Sequence, residues 1–284
     1  MRSFFYLIVS TLSLSLFFSS AVIAASNNYD KGAFYFSQGD YVSALGEWAP
    51  LAKQGHSFAQ YSLGLLYEQG KGVKKDPQLA LKYFQSAVDQ ELPSAQYYLA
   101  MKYYAGLNIN KDSIKARELL NKAAKNDHSQ AQFQLANLYD KGQGGSKDTK
   151  QAIYWFTTAS ENGYGPAQHV LAVRYLTGKG KDLNLERGVF WLKKSAEQYD
   201  NDAMRDLGFM YFKGLGVSKD FKKAHDLLLE PAEDGSGLAL FLLGEIYAVG
   251  GNGMSKDTQK AKENQSSILK KYNIEFDKSI DLRH

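Results

Sequence analysis

Six alanines constrain this chain more than any other feature. Ala59, Ala95, Ala131, Ala167, Ala203 and Ala239 recur at intervals of 36 residues. Counting each unit from its alanine as position 1, position 5 is always leucine: Leu63, Leu99, Leu135, Leu171, Leu207 and Leu243. Position 6 is Gly or Ala throughout (Gly64, Ala100, Ala136, Ala172, Gly208, Gly244), and position 9 is Tyr67, Tyr103, Tyr139, Tyr175, Tyr211 and Tyr247. Position 12 is Gly70, Gly106, Gly142, Gly178, Gly214 and Gly250. Columns that agree in every unit at one fixed period define a stacked repeat array.

Each unit reads as two helices. Leu at 5 and Tyr at 9 share one helical face, and the small residue at 6 lets a second helix approach. The glycine at 12 ends the first helix, because glycine adopts the left-handed backbone that a helix terminus often needs. The loop then reaches Asp76, Asp112, Asp148 or Asp220 at position 18, where a short oxygen side chain caps the second helix. Asn184 stands there in the unit from Ala167, and Asp257 comes one residue late in the last unit. Small residues follow at position 22 (Ala80, Ala116, Ala152, Gly188, Ala224). Bulky pairs follow at 25 and 26, for example Tyr83-Phe84 and Trp155-Phe156. The stretch "QGKGVKKD" beginning at Gln69 is therefore punctuation between helices. It lacks the glycine spacing and the Ser or Thr after lysine that a phosphate-cradling loop requires.

The pattern Ala-x-x-x-Leu-Gly/Ala-x-x-Tyr-x-x-Gly-x-Gly-Val-x-x-Asp-x-x-x-Ala-x-x-Tyr/Trp-Phe resembles the Sel-1-like repeat, a longer-looped relative of the tetratricopeptide repeat. The resemblance covers about residues 29–270. The unit from Ala59 matches nearly throughout. The unit from Ala95 departs at the second loop glycine, where it has Asn108, and the unit from Ala167 departs in its loop and at Gly188. The resemblance implies an all-α fold, a right-handed α/α solenoid or superhelix of antiparallel helix pairs. It also implies a protein-binding scaffold role, and it does not imply an active site.

The solenoid is expected over residues 28–273, with a short first unit at 28–58, full units starting at 59, 95, 131, 167, 203 and 239, and a tail at 274–284. In the first unit Gly39 abuts Asp40 directly, as in a plain tetratricopeptide hairpin, and Trp48 occupies the bulky column. In the last unit the bulky pair becomes Asn264-Gln265, the polar outer face a terminal repeat needs.

The N-terminus "MRSFFYLIVSTLSLSLFFSSAVIAAS" has one Arg, an apolar run from Phe4 to Phe18, and Val22 and Ala24 at the places of a cleavage site. It reads as a signal peptide over residues 1–24. The competing reading is an uncleaved anchor, since Phe4 to Ile23 is long enough to span a bilayer. Interspersed Ser and Thr and the cleavage pattern favour cleavage, leaving no integral membrane segment. The chain has no cysteine, so packing without disulfides must stabilise an exported form. Export to the bacterial periplasm is the expectation, with secretion as the alternative.

The net charge of +4 is mild, and no nucleic-acid module appears. The five histidines (His56, His128, His169, His225, His284) form no i, i+4 ligand pair of the zinc-protease kind. His56 and His128 read as polar loop residues. With no catalytic constellation and no Gly-x-Ser-x-Gly elbow, neither an enzyme, a metal nor a cofactor is expected.

Function is then expected in the concave groove lined by first helices. By analogy with tetratricopeptide arrays, the ligand stripe falls on positions 3, 7 and 10, one helical face. The candidates for contacting a protein or peptide partner are Tyr61, Tyr97, Met101, Tyr104, Phe133, Asn137, Asp140, His169, Arg205, Phe209 and Phe212. The same stripe carries Leu65, Glu68, Val173, Leu176, Phe241, Glu245 and Ala248. The competing reading is that its aromatics only pack neighbouring first helices. A second functional class is a cell-wall factor that binds peptidoglycan or polysaccharide, by sugar stacking or through the lysine-rich loops.

Overall fold

The computed structural model describes residues 28–251 and 253–271; the expected signal peptide and the expected tail lie outside the described residues. The described residues are all helical in regular structure apart from an isolated bridge between Gly251 and Met254. Helix α1 covers residues 28–37. It is followed by α2 (Tyr41–Lys53), α3 (Ser57–Gln69), α4 (Pro77–Asp89), α5 (Pro93–Ala105), α6 (Ser113–Lys125) and α7 (Ser129–Lys141). Next come α8 (Thr149–Glu161), α9 (Gly165–Thr177), α10 (Leu185–Ala196), α11 (Asn201–Lys213), α12 (Phe221–Glu233), α13 (Gly237–Val249) and α14 (Thr258–Lys271). Successive helices pack as hairpins, α3 on α4, α5 on α6, α9 on α10, α11 on α12 and α13 on α14. The fold is of the α/α-solenoid class. The chain divides into two compact units, one running to Ala131 with Gln143–Gly145 added, the other made of Gln132–Gly142 and everything from Ser146 on.

Caps set the helix boundaries. The Asp76 carboxylate accepts from the backbone N–H groups of Gln78 (3.1 Å) and Leu79 (2.9 Å), and Asp112 does the same for Ile114 and Lys115. Asp148, Asn184, Asp220 and Asp257 cap α8, α10, α12 and α14. Each of these capping residues also returns its own N–H to the carbonyl of the position-9 tyrosine, from Asp76 to Tyr67 (2.8 Å) through Asp257 to Tyr247 (2.8 Å). The tyrosine column thus closes the loop through its backbone. His56 and His128 are more than loop residues: their Nδ1 atoms accept from Ala59 N (3.3 Å) and Ala131 N (3.2 Å), so an imidazole caps the first helix. Burial holds the His128 imidazolium below its ordinary pKa, against a smaller opposing backbone hydrogen bond, and the neutral ring is the form that accepts.

Gly70 ends α3 in the left-handed conformation, φ 70°, and returns its N–H to Leu66. Gly72, two residues on and also at φ 70°, lies so close to Tyr41 that a Cβ would sit 2.6 Å from its backbone carbon. Asn108 fills the corresponding slot of the next unit with φ 59°, which asparagine tolerates better than most residues.

The core runs along positions 1, 5 and 26. Leu63, Leu99, Leu135 and Leu171 are fully buried, as are Phe84, Leu192 and Leu228. Burying each such side chain stabilises the fold by about 1.5–3 kcal/mol. Two further columns escape the periodic reading. Position 2 is a buried glutamine, Gln60, Gln96, Gln132 and Gln168. Gln60 donates to Ala52 O and accepts from Gln90, Gln168 donates to Ser160 O and accepts from Gln198, and Gln132 accepts from Asn162. Position 8 is buried as well: Leu66, Lys102, Leu138, Met210 and Ile246.

Candidate functional site

The stripe at positions 3, 7 and 10 has different fates in the two compact units. In the first, Tyr61 is half-buried, its ring 5.8 Å from Phe84 and edge-on to Tyr98. Burial, then the charges around it, pushes its hydroxyl pKa up. Tyr97 stacks on the capping ring of His128 at 4.9 Å. The Tyr104 hydroxyl donates to Gln143 Oε1 at 3.0 Å. Met101 is partly exposed. Glu68 holds two partners from the following hairpin, the Tyr98 hydroxyl and the Lys102 ammonium. Both charged side chains are nearly out of solvent, Lys102 at 10% and Glu68 at 14%.

In the second unit Phe133 packs on Phe156 and Tyr164, and Asn137 is partly exposed. Asp140 is bound by Arg174 at 2.8 Å. This repeats the Glu68–Lys102 arrangement, a position-10 acid against a position-8 base one repeat later. His169 Nε2 lies 3.0 Å from Asp206, and Arg205 reaches both Asp206 (2.8 Å) and Asp202. Burial works against the His169 imidazolium. The hydrogen bond and charge of Asp206, with Asp200 and Asp202 behind it, outweigh burial and hold its pKa above 6.5. Burial likewise opposes the Asp206 carboxylate, but His169 and Arg205 together hold its pKa below 3.8. Phe212 stacks on Phe221 at 5.4 Å.

Phe209 behaves differently. With Val173 and Leu176 from the same stripe, it lines an apolar cavity of ≈ 330 Å³. Leu185, Met210, Leu215 and Leu238 add apolar walls, and Thr177 and Asp206 complete the lining. Leu176 reaches this position by leaning on Gly188, where a Cβ would lie 2.3 Å from its Cδ2. The departure at Gly188 therefore makes room for a stripe residue. Most stripe aromatics pack against neighbouring hairpins, and the α9–α11 segment leaves an opening. The 36-residue period places Phe209, Val173 and Leu176 on the stripe, whereas Leu215 and Leu238 lie outside the repeating columns and carry no periodic signal.

Among the described residues no helix is long and apolar enough to cross a membrane, and no group of three or more His, Asp or Glu residues is placed to hold a metal ion.

The Sel1 repeat family profile matches residues 57–92, 93–128, 129–164, 165–200, 201–236 and 237–263. This chain belongs to the Sel1 repeat family. Each Sel1 match begins on the first residue of a first helix, from Ser57 to Gly237. The Sel1 repeat is a scaffold fold commonly used for protein interaction. No curated protein sequence matches the chain significantly. Among solved structures, a protective antigen present in uropathogenic Escherichia coli strains, with an SLR fold, is similar at 29% identity and a TM-score of 0.80. That match covers 88% of this chain and 54% of the antigen's, so this chain spans about half the antigen's length. A Sel1 repeat protein from Oxalobacter formigenes is similar at 28% identity and a TM-score of 0.70, covering 85% of this chain and 96% of that one.

Proposed function

We propose that this Sel1 repeat protein is a non-enzymatic adaptor, exported to the periplasm, that binds a protein or peptide partner on the face of its first helices. Through that partner it would serve signalling, envelope assembly, motility or host interaction. The observation that carries the reading is the opening at Val173, Leu176 and Phe209. There a non-repeating stripe over a strictly repeating core leaves apolar side chains around a cavity large enough to receive a partner's side chain. Recognition surfaces concentrate affinity in such apolar anchors.

The test is co-purification of the natively expressed protein from the periplasmic fraction, with partners identified by mass. One protein recovered with the wild type and lost with Phe209→Glu supports the reading. Retention on purified peptidoglycan, unchanged by Phe209→Glu, overturns it in favour of a glycan-binding role. N-terminal sequencing tests the compartment. A first residue at or near Ala25 supports export with cleavage, and recovery in the membrane pellet with Met1 intact overturns it.

A further inference from the structure

The apolar cavity shares a wall with a second one of different character. Asp206 and Leu238 line both. On the far side of that wall lies a space of ≈ 600 Å³, bounded by Asn201, Asp202, Arg205, Asp234 and the turn Gly235–Gly237. Three carboxylates, Asp202, Asp206 and Asp234, face it against one guanidinium, Arg205. The guanidinium is already engaged by Asp202 and Asp206. Asp206 has both oxygens occupied, one by Arg205 and the other by His169. Asp202 and Asp234 retain free acceptor capacity. The side chain of Asp202 is 64% exposed, and Asp234 takes one amide hydrogen bond from Asn201. The other end of that amide, Asn201 Oδ1, is buried with no hydrogen-bond partner among the described residues. Acceptors therefore outnumber donors on one side of the wall, while the other side is apolar, with Leu215 and Leu238 exposed at its rim.

A group that complements both spaces brings a desolvated apolar body and a cation within the thickness of one side-chain wall. In an extended chain, residues advance about 3.3 Å each, so the two belong to neighbouring or next-neighbouring residues. We infer that this face binds a peptide segment in which a large apolar side chain stands beside, or one residue from, a lysine or arginine. The apolar group fills the space at Phe209 and Leu238, and the cation meets Asp202 and Asp234. Acidic segments are disfavoured by the excess of carboxylates, since like charge across a contact suppresses wrong partners. This inference rests on the protein-binding reading above and names the partner's chemistry.

The experiment pans a display library of random twelve-residue peptides on the full chain. The most enriched sequence is then synthesised with a fluorescein label and its binding followed by anisotropy. The expected enrichment pairs Leu, Ile, Phe or Met with Lys or Arg within two positions. Leu238→Asp should weaken the synthetic peptide about tenfold. Asp202→Asn with Asp234→Asn should weaken it about fivefold, an effect that shrinks as salt is raised. All three positions are exposed or at a rim, so thermal unfolding should be unchanged and serves as the folding control. Enrichment of acidic or uncharged sequences overturns the inference. So does binding that ignores these variants and falls with Met101→Asp in the other compact unit; both of these results leave the protein-binding reading standing. Enrichment of no sequence at all overturns both.

Discussion

Where α3 meets α5, the position-10 and position-8 columns hold Glu68 and Lys102, an ion pair almost out of solvent and tied further by Tyr98. Where α9 meets α11, the same two columns hold Leu176 and Met210, and both line a cavity. One backbone geometry thus carries two chemistries. An acid and a base that reach for each other close the space between neighbouring first helices. Two aliphatic side chains have no directed attraction, and Leu176 settles on Gly188 and leaves an opening. Asp140 and Arg174 show the ionic form a second time within the other compact unit. The difference teaches that the junction chemistry, more than the repeat itself, decides where the stripe stays available.

The largest test breaks the ionic junction. Lys102→Met leaves Glu68 nearly buried with the Tyr98 hydroxyl but without its cation, which should cost about 3 kcal/mol in urea unfolding. Adding Glu68→Leu should restore most of that loss, since well-packed apolar replacements of buried ion pairs are often neutral. If the single variant matches the wild type, the pair is not what closes the junction. Met210→Lys asks the reverse question at α9–α11. It places an unpaired cation at a position only 4% exposed, and Leu176→Glu in the same chain should recover part of the stability by recreating the ionic form.

A smaller effect is expected inside the hairpins. A Cβ on Gly64 would sit 2.5 Å from the Phe84 ring, whereas one on Gly244 would meet nothing closer than 3.7 Å. Gly64→Ala should therefore destabilise by about 1–3 kcal/mol, and Gly244→Ala should stabilise by about 0.5–1 kcal/mol through helix propensity. Equal shifts in melting temperature for the two would mean that the close approach at α3–α4 is not enforced.

The α9–α11 junction should also be the pH-sensitive one. The folded pKa of His169 is raised, so its contribution is complete below about 6.5 and is lost as pH rises through the folded value. His169→Gln should flatten the stability profile in that window, with its loss confined to the acidic side. A wild-type profile that is flat from about pH 5 to 8 would remove His169 from the account. The smallest effect is at Tyr199, which is 75% exposed and held at φ 59° in the turn before α11. Tyr199→Gly relieves about 1–2 kcal/mol of left-handed strain, partly offset by glycine's greater unfolded-state entropy. A gain of about 0.5 kcal/mol is expected in a denaturant midpoint.

Much of this was legible in sequence because it repeats. The leucine, tyrosine, glycine and aspartate columns located the helices, their terminators and their caps, and the structure keeps those roles. The imidazole caps at His56 and His128 were harder to read, because Leu92 and Tyr164 occupy the same column without a side-chain cap. The glutamine column was visible at four of the six positions, but an amide on a helix looks solvent-facing until its partners are known. The ion pairs were hidden by their own alternation, since a column reading Leu, Lys, Leu, Arg, Met, Ile shows no conserved chemistry.

The sequence by itself determined the all-α repeat, its period and the face that must be buried, because every unit solves the same local problem with the same residues. Only the tertiary structure decided which members of the non-repeating stripe are spent on neighbours. That depends on which side chain stands opposite, roughly one repeat further along the chain: Lys102 for Glu68, Arg174 for Asp140, Asp206 for His169. It also decided that Phe209 lines an opening, whereas Phe133 packs on Phe156 and Tyr164 and Phe212 stacks on Phe221. A cavity is a property of the gap between side chains from several elements, Leu176 on Gly188, Leu215 in a loop and Leu238 at a helix start, and no single helix carries that information.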